Sequence, residues 1–468
     1  MAEAAQPEYK AYKRRWIYLL VAIAVNFSNG NTWITYAAIT FYTNDFYHNK
    51  NAATFFNTIF MVLSIPVGFL AIWWTDKRGL RSAFLIGAWT NFLGNVIRFL
   101  GSWSWMPENG RFPVAFIGQT VAAFAQPFVM FLPTKLAAFW FPENERALAN
   151  TLASMSNPIG IAAMYSISPL VVSKEHPDNF QWLTGGCLIG AIATLFLSFF
   201  ITSSNPPTPV APSKDSGVRV PGFSEGIKRC FKSRRFMTLA CTLGGGVGAF
   251  NALYNNLQPA LCSRGYSSGF NGGMGSLLIM SGLVGAAISG IIVDQTGKFE
   301  LVMKTAFGFA AVAACSLSIA VDYENETAWI VCSIVLFGLF GFAVYPIGLE
   351  AGVEATYPVA EATSTGLIIM MGQIEGVIFV VVTTLLAQDP DPHTLAIQTC
   401  VNDNANIKTV LIWRNSFLAW LGIVMLLIIL FVLFFRPKNR RRMFEREKLA
   451  LAANEKTNVE DGSLDLHL

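Results

Sequence analysis

About twelve apolar stretches of 21 to 28 residues follow one another along the whole chain, separated by short charged connections. A helix needs about 20 mostly apolar residues to cross a hydrocarbon core. Inside lipid its peptide groups must pair with one another, which leaves the helix as the form for such runs. The stretches are 16–40, 52–74, 82–102, 112–139, 147–172 and 181–202, then 236–262, 270–293, 301–321, 328–351, 360–387 and 409–435. Together they predict an all-α membrane protein of twelve transmembrane helices. Composition agrees: 53% of residues are hydrophobic and 13% charged, against about 25% charged in a soluble domain. The excess is spread over the full length, so a single anchor does not explain it. Lys10, Lys13, Arg14 and Arg15 directly precede the first run, which reads as an uncleaved first helix.

Charge gives orientation. If the helices alternate, 10–15, Lys77, Arg78, Arg81, Arg146, 228–235, Lys298, Lys304 and 436–448 fall on one side. Glu108, Glu175, Asp178, Asp322, Glu324, Glu326, Asp389, Asp391 and Asp403 fall on the other. The basic side is expected to be cytosolic, with both termini in the cytosol. The division is then a cytosolic N-terminal segment 1–15, a six-helix bundle 16–202, a cytosolic linker 203–235 holding Pro206, Pro207, Pro209, Pro212 and Pro221, a second bundle 236–435, and a cytosolic tail 436–468. Asn325-Glu326-Thr327 is a glycosylation sequon in an outer loop, in agreement; Asn26-Phe27-Ser28 lies inside a helix and is discounted. The seven cysteines show no CxxC pair and no metal-ligand spacing. Cys262 and Cys400 share the oxidising outer side, either as a disulfide or as two unrelated thiols.

The chain repeats itself. Asp76-Lys77-Arg78-Gly79-Leu80-Arg81 follows the second run and Asp294-Gln295-Thr296-Gly297-Lys298 the eighth, with the two aspartates 218 residues apart. Phe141-Pro142-x-x-Glu145 and Tyr357-Pro358-x-x-Glu361 follow the fourth and tenth, 216 apart. Two independent pairs at nearly one offset predict two pseudo-symmetric six-helix bundles with a site near the midplane between them. The glycine permits a tight reversal, and an aspartate at a helix end can pair with basic or helix-terminal groups of its neighbours. This doubled motif resembles that of the major facilitator superfamily, although Ile72 stands where that pattern has glycine.

A closer resemblance rests on Arg14-Arg15-Trp16, Asn31-Thr32-Trp33-Ile34-x-Tyr36, Asp76 to Arg81, Gly118-Gln119 with Ala125-Gln126, Leu132-Pro133, Gly248-Ala249-Phe250, and the segment from Tyr357-Pro358 to Gly372-Gln373. These resemble solute carrier family 49, the feline leukaemia virus subgroup C receptor-related transporters, in both halves. The resemblance implies haem, or choline and ethanolamine, as candidate solutes. It also implies a quaternary ammonium held by a first-helix tryptophan and a seventh-helix tyrosine, with glutamines of the fourth and eleventh helices. The matching positions are Trp33, Asn251, Gln126 and Gln373, with Gln258 at a further polar position. Asn251 departs from the family's tyrosine, which leaves half of the aromatic cage missing; Tyr254, three residues on, shares roughly its helix face.

Other roles compete for these residues. Trp33 also suits an interfacial aromatic belt, and Gln126, Asn157, Asn251 and Gln373 also suit hydrogen bonds between helices. Glu375 is an acid inside a span, expected as a counter-ion or proton site, yet two residues from Gln373 it faces nearly the opposite way. Asp76, Arg81, Asp294, Lys298 and Glu361, with Lys135, Arg146, Glu350 and Glu354, read as a gating ion-pair network, against the alternative of snorkelling charges. Arg98 is expected to snorkel at the outer end of the third helix. All four histidines fall in loops or the tail, away from any axial-ligand position for haem.

The expected protein is therefore a monomeric secondary carrier or facilitator of a small organic solute in a lipid bilayer, at the plasma membrane. The solute is an amine such as choline or ethanolamine, or alternatively haem or a porphyrin. A non-transporting receptor or scaffold on the same fold is the alternative from another class. No catalytic set, Walker motif, metal site or cofactor motif is present, so no enzyme is expected, and the net charge of +4 gives no reason to expect nucleic acid.

Overall fold

The computed structural model describes residues 9–173, 175–211, 220–389, 391–392, 394, 411–436, 440–448 and 450–451. Twelve long helical segments run through them. They are α1 Arg15–Ile34, α2 Ala52–Arg78, α3 Leu80–Gly101, α4 Glu108–Trp140, α5 Glu143–Val171, α6 Phe180–Ser198, α7 Arg234–Ser263, α8 Gly269–Thr296, α9 Phe299–Ala320, α10 Thr327–Thr356, α11 Glu361–Leu385 and α12 Arg414–Phe434. Ten of them are long and apolar enough to cross a membrane by composition alone. The other two, α1 and α5, are diluted by Asn26, Ser28, Asn29 and Thr32, and by Asn150, Thr151, Ser154, Ser156 and Asn157, all buried. These are inward-facing helices whose polar groups meet protein rather than lipid. The reverse holds outside, where Leu170, Ile189, Val312 and Leu385 are each at least 70% exposed.

The first apolar run does not continue as one helix to residue 40. α1 stops at Ile34, and a short turn of helix, Ala37–Ile39, leads into Thr40–Phe46. Two other helices are broken. α4 is interrupted at Phe131, between Pro127 and Pro133, and α10 at Phe342 and Ala343, just before Pro346. Proline removes an amide donor and crowds the preceding turn, so the breaks have a local cause. In the stretch between the halves, Phe223–Lys232 forms an amphipathic helix that buries Cys230.

Within the first half α1 packs on α5 and α3 on α4; within the second, α7 packs on α11 and α9 on α12. The halves meet where α5 lies on α8 and α2 on α11. Two glycines set how close the inner helices come. A Cβ at Gly160 of α5 would lie 2.3 Å from the Phe27 carbonyl oxygen of α1, and one at Gly248 of α7 would lie 2.7 Å from the Gly376 nitrogen of α11. Each contact is backbone on backbone, so α1 is seated directly against α5, and α7 against α11.

Arg98 does not snorkel. It is fully buried, donates to Asn95 Oδ1 at 2.9 Å and lies 5.0 Å from the Tyr36 ring centroid. Asn95 donates to Thr32 at 3.0 Å, and Asn91 to Ser28 at 3.0 Å. The Arg98 Nε and Nη2 have no hydrogen-bond partner among the described residues, so Asn95 and the Tyr36 ring hold a charge that is only partly satisfied.

Candidate solute cavity and its gate

A cavity lies where α1, α4, α5, α7, α10 and α11 converge. The space in it that the centre of a water-sized sphere can reach is about 90 Å³, so the cavity is narrow in this conformation. Trp33, Gln126, Asn157, Asn251, Tyr254 and Gln373 all line it, as do Phe250, Phe337 and Tyr345. No acidic, basic or histidine side chain is among its lining residues. Trp33 is fixed by donating from Nε1 to the Asn57 carbonyl at 3.1 Å and by stacking on Phe60 with centroids 6.5 Å apart. Tyr254 sits between Phe250 and Tyr165, each with its ring 6.2 Å away. The Tyr165 hydroxyl donates to the Tyr254 carbonyl at 2.7 Å and so ties α5 to α7 across the halves.

The polar atoms around this cavity divide into two groups. Asn157 Nδ2 donates to the Asn26 carbonyl at 3.1 Å, and Gln126 Oε1 accepts from Ser64 at 3.0 Å. Gln126 Nε2, Asn251 Nδ2, Tyr254 Oη and Gln373 Oε1, by contrast, are buried with no hydrogen-bond partner in the protein. Each such atom costs about 1–3 kcal/mol when left unmade. All four belong to residues that line the cavity, so donors and acceptors without partners surround it.

Two expected members lie outside the lining. Gln258 sits farther along α7, with Nε2 3.8 Å from Cys262 Sγ. Glu375 turns from the cavity, with Oε2 beside Gly245 of α7 and no hydrogen-bond partner for that oxygen. The helical spacing from Gln373 explains this, because α11 is regular through both residues.

The end of the molecule that carries the repeated aspartates, its basic face, is closed by bonds between the halves. Asp76 accepts from Thr363 Oγ1 of α11 at 2.5 Å and pairs with Lys135 at 3.3 Å. Lys135 also donates to the Thr75 carbonyl at 2.5 Å. Asp294 accepts from the backbone amides of Ala147 and Leu148 in α5, at 3.3 and 3.0 Å. Asn150 donates to the Pro346 carbonyl at 3.1 Å. Glu361 is buried at the start of α11. Arg81 instead donates to the Thr202 carbonyl at 3.2 Å, and Lys298 is exposed with no ion pair among the described residues.

Sequence reasoning missed the segment 440–448, which is helical and closes the same face. Arg441 is buried and pairs with both Glu350 and Glu354 of α10. Burial works against its charge, but Glu350, Glu354 and Glu445 outweigh that and hold the guanidinium above its usual value. The Arg442 amide donates to Glu354 at 3.1 Å, and its side chain reaches Glu143 of α5 at 3.5 Å. Glu445 is buried and accepts from Arg146 at 3.4 Å. One segment thus grips both halves. The signal in sequence was a basic run after the last helix, and it carried no mark of where it packs.

On the opposite, acidic face, Cys262 is disulfide-bonded; Cys400, its expected partner, lies outside the described residues. Asn325 is exposed in the turn between α9 and α10.

The sequence profile of the Major Facilitator Superfamily matches residues 21–380. The chain belongs to that superfamily and, within it, to solute carrier family 49. It is 35% identical over 448 residues to solute carrier family 49 member A3 of Xenopus tropicalis, covering 94% of this chain and 90% of the relative. To the choline/ethanolamine transporter FLVCR2 of Homo sapiens it is 28% identical, over 80% of this chain and 72% of that one. In fold it resembles the proton:xylose symporter XylE, with a TM-score of 0.67 at 12% identity over 91% of this chain and 96% of that one. A protein of this family is a transporter, and its two bundles are those the repeat predicted.

Proposed function

We propose that the chain is a monomeric carrier for a small organic cation bearing a hydroxyl group, of the choline and ethanolamine class, working by alternating access. The observation that carries this reading is the set of four unpartnered polar atoms, Gln126 Nε2, Asn251 Nδ2, Tyr254 Oη and Gln373 Oε1, around a cavity that also presents Trp33. With no carboxylate in the lining, a cation there is held by aromatic faces. Trp33 supplies one and Tyr254 the second, in place of the residue missing at Asn251. The amides take the hydroxyl. That the FLVCR2 relative is a choline/ethanolamine transporter supports the same class. No histidine lines the cavity, which disfavours haem held by an axial ligand.

The basic face is placed in the cytosol, with both termini there and Asn325 glycosylated outside, in the plasma membrane. The contacts of Asp76, Asp294 and the 440–448 segment, with Glu361 buried at the same face, then form a cytosolic gate, closed in this conformation. Glu375 lies off the cavity, and the site proper is Trp33, Gln126, Asn251, Tyr254 and Gln373, with Asn157 bracing α5 on α1.

The test is uptake of labelled choline and ethanolamine into vesicles holding the purified protein, beside Trp33→Ala and Gln373→Leu. Saturable uptake of at least one compound is expected. Loss of a desolvated cation–π contact, about 2 kcal/mol, weakens apparent affinity about thirtyfold in Trp33→Ala. Absence of saturable uptake of both compounds by folded protein overturns the reading.

A further inference from the structure

A second basin opens on the basic face, away from the cavity. It is lined by the α8–α9 turn and by one side of the 440–448 helix. Lys298, Lys304, Arg442 and Arg446 surround it. Lys304 is engaged by Glu300 at 2.6 Å, and Arg442 by Glu143 at 3.5 Å and by the Phe299 ring at 5.1 Å. Lys298 and Arg446 are exposed and make no ion pair among the described residues. The basin also contains the N-terminal turn of α9, the positive end of that helix, where the Phe299 amide already donates to the Gly297 carbonyl at 3.1 Å and Glu300 is taken up by Lys304. Leu301 and Met443, 62% and 66% exposed, stand in the same lining. A ligand that fits must therefore combine anionic oxygens with an apolar body.

We infer that this basin is a site for the phosphate headgroup of an anionic phospholipid of the leaflet at the basic face. The phosphate sits between Lys298 and Arg446 over the first turn of α9, and the acyl chains run past Leu301. Basic groups just outside a membrane span attract such lipids at about 1 kcal/mol each. A soluble inositol phosphate shares the charge but has nothing to place on Leu301 and Met443, so the lipid is the favoured source. Its leaflet rests on the proposed cytosolic placement of the basic face; the headgroup chemistry does not.

The site bears on the gate. Arg442 and Arg446 belong to the helix whose Arg441 and Glu445 enter the contacts between halves. A headgroup held there keeps that helix seated and favours the closed basic face.

The experiment is binding of a short-chain phosphatidylinositol phosphate to the full-length protein in mixed micelles, read as a rise in melting temperature. Phosphatidylcholine and free inositol trisphosphate are run in parallel. The Lys298→Ala/Arg446→Ala variant alters two exposed residues and is expected to melt as the parent does without lipid. Its apparent affinity for the anionic lipid is expected to fall roughly thirtyfold. A second variant, Lys228→Ala/Arg229→Ala on the amphipathic helix between the halves, keeps the parent's response. An equal response to inositol trisphosphate overturns the lipid as the source. No response to anionic lipid, or one that survives in Lys298→Ala/Arg446→Ala, overturns the site. Micelles have no sidedness, so a wrong orientation leaves this result unchanged and shows instead in labelling of intact cells.

Discussion

Asp76 and Asp294 occupy the same position in the two repeats, yet they are held by different chemistry. Asp76 is fixed by side chains, the Thr363 hydroxyl and the Lys135 ammonium. Asp294 is fixed by backbone amides of Ala147 and Leu148. The partners are themselves equivalent, since Ala147 and Thr363 stand 216 residues apart, the same offset as Pro142 and Pro358. The pseudo-twofold axis has therefore kept the geometry of the contact while the donor changed from a side chain to the main chain. One latch can be retuned by substituting its partner. The other can be altered only at the aspartate.

This difference can be broken at four points. Lys135→Met has the largest expected effect, because it leaves the part-buried Asp76 carboxylate without its cation; removing one partner of a fully buried pair costs about 3–5 kcal/mol, and the low end of that range is expected here. A clear fall in melting temperature and a cavity more accessible to thiol reagents from the basic face are expected; an unchanged protein contradicts the pairing. Thr363→Val follows, at about 1.5–3 kcal/mol for one hydrogen bond to a charged group, and Thr363→Ser is expected to restore most of it. Asp294→Asn keeps an acceptor oxygen but loses the charge, for a cost of about 1 kcal/mol. A loss as large as that of Lys135→Met would show that Asp294 has an ionic partner instead. Ala147→Ser is expected to cost the least, under about 1 kcal/mol, because its amide remains and the hydroxyl added at this buried position can donate to the preceding turn of its own helix. If Thr363→Val and Ala147→Ser prove equally harmful, the contrast fails.

The repeat was legible because it is written in short motifs at fixed offsets, and the spans because lipid demands long apolar runs. α1 and α5 were found by length and position, though their polar interiors dilute the very signal that marks a span. The cavity residues Trp33, Gln126, Asn157, Asn251, Tyr254 and Gln373 were visible as polar or aromatic groups at mid-helix, with the resemblance as guide. Gln258 and Glu375 carried the same signal, and only the helical phase against a three-dimensional neighbour separates them from the rest. Arg98 looked like a snorkelling end residue because Asn95, its partner, is one turn back on the same helix, and Tyr36 lies beyond a break that apolar composition conceals. The 440–448 segment was opaque for another reason. Its partners Glu143, Arg146, Glu350 and Glu354 are some 90 to 300 residues distant in sequence, and a basic run says nothing about which acids it will meet.

The glycine contacts at Gly160 and Gly248 have a consequence for how such a carrier diversifies. Each inner helix pair is locked, main chain to main chain, into a block with no slack. Helices seated this closely are expected to move as one body, Asn251 with Gln373 and Trp33 with Asn157, with the gap between the bodies taking up the change. On such platforms a change of solute is expected to come from exchanging side chains rather than from shifting a helix, and Asn251 and Tyr254, three residues apart on α7, are the pair where this chain is expected to show it.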